Sequence, residues 1–243
     1  MDSNCLITVR DVSKNYKRRK ALNNISFDVK KGEVLGIIGP NGAGKTTMIS
    51  LLATINKPES GKIHIFGEDI LKNPEKVRAS LGYVPQETAL YPMLTAYENL
   101  DFWGGIYGVD NKLKKEKINK VLQLLRLEDR KNDKVRTFSG GMKKRLNIAA
   151  SLLHDPDILI MDEPTAGVDI LSRATITELV LDLKNSGRTI IITSHHIDDL
   201  EHLCDKILVL REGSLLYSGS AADILKATGN DNLEQLMLKL EEA

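Results

Sequence analysis

The chain has 243 residues, 42% of them hydrophobic, with 34 Lys and Arg against 33 Asp and Glu and a formal net charge of +1. That length supports one large α/β domain or a core carrying a smaller insertion, and the charge balance excludes a nucleic-acid binder that works by overall basicity. Cys5 and Cys204 are too isolated for a disulfide framework and read as structural thiols of a reducing compartment, the apolar runs fall short of the ~20 residues of a membrane span, and the first residues lack the apolar core of a secretory signal.

In chain order, Leu6–Val9 predicts a short strand, and Ile25, Phe27 and Val29 alternate as in a half-buried strand. The basic run from Lys14 to Lys20 between them reads as a solvated face. It holds Tyr16, either a packing residue or a surface on which an adenine ring could stack. Val34–Ile38 then predicts a buried strand and Thr47–Ala53 a helix. The connection Gly39-Pro40-Asn41-Gly42-Ala43-Gly44-Lys45-Thr46 has the spacing of a phosphate cradle. Its glycines let successive N–H groups point inward, the helix N-terminus adds partial positive charge, Lys45 reaches the β/γ-phosphates, and the Thr46 hydroxyl is placed to ligate magnesium.

A turn at Pro58–Gly61 leads into a strand at Lys62–Phe66, and another strand, Leu81–Val84, ends at Pro85-Gln86. Open α/β sheets place ligand groups at such strand ends, so the Gln86 amide either faces a metal or attacking water or is simply solvated. From 87 to 155 the period becomes helical, with Leu100, Phe102 and Trp103 and then Ile118, Val121, Leu122 and Leu125, which predicts an inserted helical subdomain. The basic cluster from Lys112 to Arg136 is interleaved with Glu116, Glu128, Asp129 and Asp133 and again reads as a solvated face. The last helix of this insert begins at Phe138-Ser139-Gly140-Gly141-Met142, with Ser139 as N-cap. The residues by themselves favour an ordinary cap over an anion site.

Ile158–Met161 predicts a strand buried on both faces that runs into Asp162-Glu163-Pro164. Asp162 is placed to hold the magnesium that Thr46 touches, and Glu163 to orient or deprotonate a water for in-line attack on a γ-phosphate. Next come a helix with Ile176, Leu179, Val180 and Leu183 on one face and a buried strand ending at Thr193 that delivers Ser194 and His195 to the same edge. His195 is either structural or a hydrogen-bond donor to the γ-phosphate. Lys206–Leu210 and Ser214–Tyr217 predict a hairpin, and Leu233, Leu236, Met237 and Leu240 an amphipathic C-terminal helix.

On the ordered set of phosphate loop, Gln86, Ser139-Gly140-Gly141, Asp162-Glu163, Asp169 and His195, the chain resembles the nucleotide-binding subunit of an ATP-binding cassette (ABC) transporter from Leu6 to Tyr217. The resemblance implies an α/β fold: a P-loop NTPase core with a mainly parallel sheet, an antiparallel β subdomain and an inserted helical subdomain. The core would take residues 1–86 and 156–218, the helical subdomain 87–155 and a C-terminal helical extension 219–243.

The resemblance further implies an ATPase whose cofactors are ATP and Mg2+. ATP is bound by Tyr16, Gly39, Pro40, Asn41, Gly42, Ala43, Gly44, Lys45, Thr46 and Thr47, with Thr46, Gln86 and Asp162 on the metal and Glu163, His195 and Gln86 catalytic. Two cassettes pair head to tail in this family, so Ser139, Gly140 and Gly141 contact the ATP of the other cassette and Asp169 lies at the seam. Partners are therefore a second cassette and a separate membrane permease, with no nucleic acid, and the location is the cytoplasmic face of the membrane. Phe138 and Met142 replace the ends of the usual Leu-Ser-Gly-Gly-Gln, and Ala166-Gly167-Val168-Asp169 the usual Ser-Ala-Leu-Asp, variants similar to the exporters of drugs, sodium and lipids. Soluble cassette ATPases acting on ribosomes or nucleic acid form the alternative; an unrelated P-loop kinase or GTPase would leave the Ser-Gly-Gly helix unexplained.

Overall fold

Strand-forming runs and amphipathic helices build two sheets with helices packed on them; the computed structural model describes residues 5–17, 19–194 and 197–242. In chain order the strands are β1 (Cys5–Tyr16), β2 (Arg19–Lys30), β3 (Val34–Ile38), β4 (Ser60–Ile65), β5 (Glu68–Asp69), β6 (Leu81–Val84), β7 (Ile158–Asp162), β8 (Thr189–Thr193), β9 (Lys206–Arg211) and β10 (Ser214–Gly219). The helices are α1 (Lys45–Leu52), α2 (Pro74–Ala79), α3 (Ala96–Ile106), α4 (Asn111–Leu124), α5 (Gly140–Leu152), α6 (Ile170–Asn185), α7 (Ile197–Leu203), α8 (Ala221–Thr228) and α9 (Leu233–Glu242).

One sheet has the order β10-β9-β3-β8-β7-β6, and the other, antiparallel, the order β2-β1-β4-β5. In the first, every neighbouring pair is parallel except β9 with β10. The expected α/β class, a mainly parallel core with an antiparallel sheet and helices, is the architecture found.

Residues alternate between the faces of the parallel sheet, as a two-residue period requires. Leu35, Ile37, Ile158, Ile160 and Ile191 join α1 and the antiparallel sheet in one apolar cluster. Val34, Ile38, Leu159, Met161, Ile190 and Ile192 join α3 to α9 in the other. α1 lies between the sheets with Met48, Ile49, Leu51 and Leu52 fully buried. Each such side chain contributes roughly 1.5–3 kcal/mol by leaving water, so the helix start that carries Lys45 is rigidly anchored. β3, β7 and β8, buried along their whole length, end side by side at one edge of this sheet.

One strand boundary needs correction, and α2 and α8 are helices that the sequence reading does not single out. β1 runs on to Tyr16 instead of stopping at Val9: it pairs with β2 on one side and β4 on the other, and buried Val12 continues its inward face beyond a register shift. Its outward positions are polar, which hides the alternation. α2 is too short for a periodic signal. α8 carries legible caps, Ser220 accepting from the Asp223 N–H at 3.2 Å and Gly229 at φ 67°. Among the described residues no helix is long and apolar enough to cross a membrane.

Candidate nucleotide site

The loop between β3 and α1 passes close to the β9–β10 hairpin, and a methyl group on Gly39 would sit 2.2 Å from the Leu210 carbonyl oxygen. Only glycine lets the loop leave β3 along that path. Lys45, at the first position of α1, is buried; its Nζ donates to the carbonyls of Gly39 at 2.6 Å and Pro40 at 3.1 Å, so the loop curls around its own ammonium. Burial pushes the Lys45 pKa down, while the charges of Glu163 and Asp162 at the end of β7, one strand beyond β8, pull it back up.

One hydroxyl ties the Asp162 carboxylate to the Glu163 backbone. Thr193, at the end of β8, donates from Oγ1 to Asp162 Oδ1 at 2.7 Å and accepts the Glu163 backbone N–H at 3.0 Å. Glu163 has φ 50°, a left-handed conformation that costs a non-glycine residue about 1–2 kcal/mol. Gln86 Nε2 donates to Glu163 Oε2 at 2.9 Å. Thr193 reads in the sequence as an ordinary strand former, and nothing there shows that it binds both acids.

A cleft of about 400 Å3 brings together Tyr16, the phosphate loop, Lys45, Thr46, Thr47, Gln86 and Glu163. Tyr16 is half-exposed at its rim, with the Lys14 ammonium 5.5 Å from its ring centre and the Asn56 amide donating to its hydroxyl. Arg19, which the sequence offers only as part of a basic run, also lines the cleft and donates to the Gly42 carbonyl at 2.9 Å. Thr46, Asp162 and the amide oxygen of Gln86 are hard oxygen donors, the kind that would suit magnesium. His195 lies outside the described residues.

Ser139, Gly140, Gly141 and Asp169 do not line this cleft. Ser139 caps α5, accepting the Met142 N–H at 3.2 Å, and is exposed together with Gly140. Asp169 caps α6, accepting from the N–H and the hydroxyl of Ser172, which hold its carboxyl below the usual range. Gly141 has a packing reason that the sequence does not show: a methyl there would come 2.0 Å from Ser172 Oγ and 2.7 Å from Asp169 Oδ2. Gly141→Ala should therefore cost about 1–3 kcal/mol, read as a lower urea midpoint, whereas Gly140→Ala, whose methyl meets nothing closer than 3.9 Å, should be nearly neutral. Equal stability of the two variants would contradict this contact. Cys204 packs under Gly36, and burial pushes its thiol up to about 12, which leaves it unreactive, as a structural thiol should be.

A parallel sheet whose strand ends carry a phosphate loop, a buried lysine and an Asp-Glu pair braced by Thr193 defines a P-loop nucleoside triphosphatase. The family described as "ABC transporter" matches residues 22–166. The linearmycin resistance ATP-binding protein LnrL of Bacillus subtilis (strain 168) is 44% identical over 231 residues, 95% of this chain and 74% of that protein. A solved ATP-binding subunit of an ABC transporter superposes with a TM-score of 0.87 at 31% identity, covering 97% of this chain and 99% of the other. A dimeric ATP-binding cassette in a post-hydrolysis state with ADP and Pi gives 0.81 at 28% identity, covering 88% and 98%.

The chain belongs to the ABC transporter family, as an ATP-binding subunit that hydrolyses ATP. These findings lend no support to the ribosome or nucleic-acid alternative.

Proposed function

We propose that this chain drives export of a toxic compound through a separate membrane-spanning subunit, by hydrolysing ATP at the seam of a cassette pair. The observation that carries the hydrolytic part is the hydrogen bond from Gln86 to Glu163 in the cleft that also holds Lys45. In this reading Tyr16 stacks on the adenine, the backbone of Gly39 to Thr47 and the Lys45 ammonium bind the phosphates, and Glu163 takes a proton from the attacking water. Thr46, Asp162 and Gln86 would hold magnesium, which when bound neutralises charge developing on the β- and γ-phosphates. His195 donates to the γ-phosphate.

Ser139, Gly140 and Gly141 of one cassette close over the ATP of the other, with Asp169 at the seam. The exposed helix start at Ser139-Gly140 supports this, as do Ile170 at 86% and Leu171 at 80% exposure beside Asp169, an apolar pair suited to burial on pairing. Residues 87–155 form the helical subdomain that carries Ser139 to Gly141, 1–86 and 156–218 the nucleotide-binding core, and 219–243 a helical extension. The resistance named for LnrL supports export of a toxic compound. A separate membrane subunit entails peripheral attachment to the cytoplasmic face of the membrane.

The test is to tag the chain, solubilise membranes in mild detergent and identify what co-purifies. A polytopic membrane protein is the expected result; recovery of ribosomes or nucleic acid with no membrane protein would overturn the export reading.

A further inference from the structure

If Glu163 is the base, something must hold Gln86 against it, since Gln86 itself sits on an exposed strand end. The restraint comes from α5. Lys144 donates from Nζ to the Gln86 carbonyl oxygen, and Asn147, one helical turn further on, accepts the Ala89 N–H at 3.1 Å. Asn147 is buried, and its Nδ2 has no hydrogen-bond partner among the described residues. A buried amide tolerated half-satisfied marks the bond it does make as the one the fold keeps. α3 holds the same loop from the other side, Trp103 Nε1 donating to the Ala89 carbonyl at 3.0 Å and buried Asn99 exchanging hydrogen bonds with the Tyr91 backbone.

The geometry points to Lys144 and Asn147 as positioning residues that fasten the Gln86 loop to α5, so that the contact of Gln86 with Glu163 depends on where α5 stands. One turn before Lys144, at the start of the same helix, Gly141 packs against Ser172 and Asp169 at the start of α6. One rigid helix therefore joins the segment expected to meet the partner's ATP to the loop that holds this chain's own general base. Closure at one site would reset the grip on Glu163 at the other, a coupling between sites through packed, hydrogen-bonded elements. Burial lowers the Lys144 pKa, while the charges of Glu163 and Asp162 oppose that shift.

This inference rests on the assignment of Glu163, and its test separates the two. Lys144→Met, Lys144→Arg, Asn147→Leu and Glu163→Gln are compared for ATPase kinetics, affinity for a fluorescent ATP analogue, and emission of Trp103, the single tryptophan of the chain. Lys144→Met and Asn147→Leu should lower kcat about tenfold with KM and ATP affinity changed less than about twofold. Their Trp103 emission should shift, because the loop holding the Ala89 carbonyl loosens. Lys144→Arg, which keeps a donor, should recover most of kcat. Wild-type kcat in Lys144→Met and Asn147→Leu with an inactive Glu163→Gln would overturn the linkage alone. Normal turnover by Glu163→Gln would overturn the base assignment and the linkage with it. An Arg variant as slow as the Met variant, with both unfolding at lower urea, would reduce Lys144 to a packing role and overturn the proposal.

Discussion

Glu163→Gln should lower ATP turnover by about 100- to 10,000-fold while leaving ATP affinity within about twofold of wild type. The substitution is nearly isosteric, and its amide oxygen can still accept from Gln86 Nε2, the contact now made at 2.9 Å. The second restraint, the backbone N–H on Thr193 at 3.0 Å, does not involve the side chain at all. The strained turn at φ 50° suits Gln as well as Glu, so the backbone can keep its path. The loss is confined to the carboxylate charge that can accept a proton from water. Phosphate release and nucleotide-binding titrations check both halves; hydrolysis at the wild-type rate would remove Glu163 from the mechanism.

Lys45→Ala should raise the ATP dissociation constant by about 10- to 150-fold, measured by calorimetry or a fluorescent analogue. A charge-assisted hydrogen bond is worth about 1.5–3 kcal/mol, and each 1.4 kcal/mol is tenfold. The nucleotide-free protein should change little in stability, because two effects oppose each other. The variant leaves the Gly39 and Pro40 carbonyls without their donor, and it also removes an ammonium that burial already disfavours. Unchanged ATP affinity would contradict the placement of phosphates over this loop.

Much of this site is legible in the sequence because the parallel strands are buried on both faces. Val34–Ile38 and Ile158–Met161 are continuous apolar runs. The glycine-rich loop after the first has the spacing of a phosphate cradle and the two acids after the second have no apolar packing role, and their juxtaposition needs only the rule that ligands gather at the C-terminal ends of parallel strands. The bracing is not legible. Thr193 is a β-branched residue in a strand, Lys144 one base in a mixed helix, and Arg19 one of several cations; their roles come from cross-chain distances that no local pattern encodes. Gly141 is a different case. The sequence offers an anion-binding reason for it, and the structure adds a steric one, contact with Ser172 and Asp169. A polar outer face hides the strand through Val12, whereas α8 escapes a reading by apolar period despite its serine cap and closing glycine.

Pairing driven by ATP is the most direct test of the whole account, because it requires the cleft, the Ser139-Gly140-Gly141 helix start and the Asp169 seam together. Sedimentation velocity of the Glu163→Gln variant, run with Mg-ATP and separately with Mg-ADP, reads that pairing. A ligand gripped by both halves favours the dimer by its differential affinity, so the 27.0 kDa chain should sediment as a dimer with ATP and as a monomer with ADP. A variant that binds ATP with wild-type affinity and remains monomeric at saturation would contradict a site completed by a second cassette.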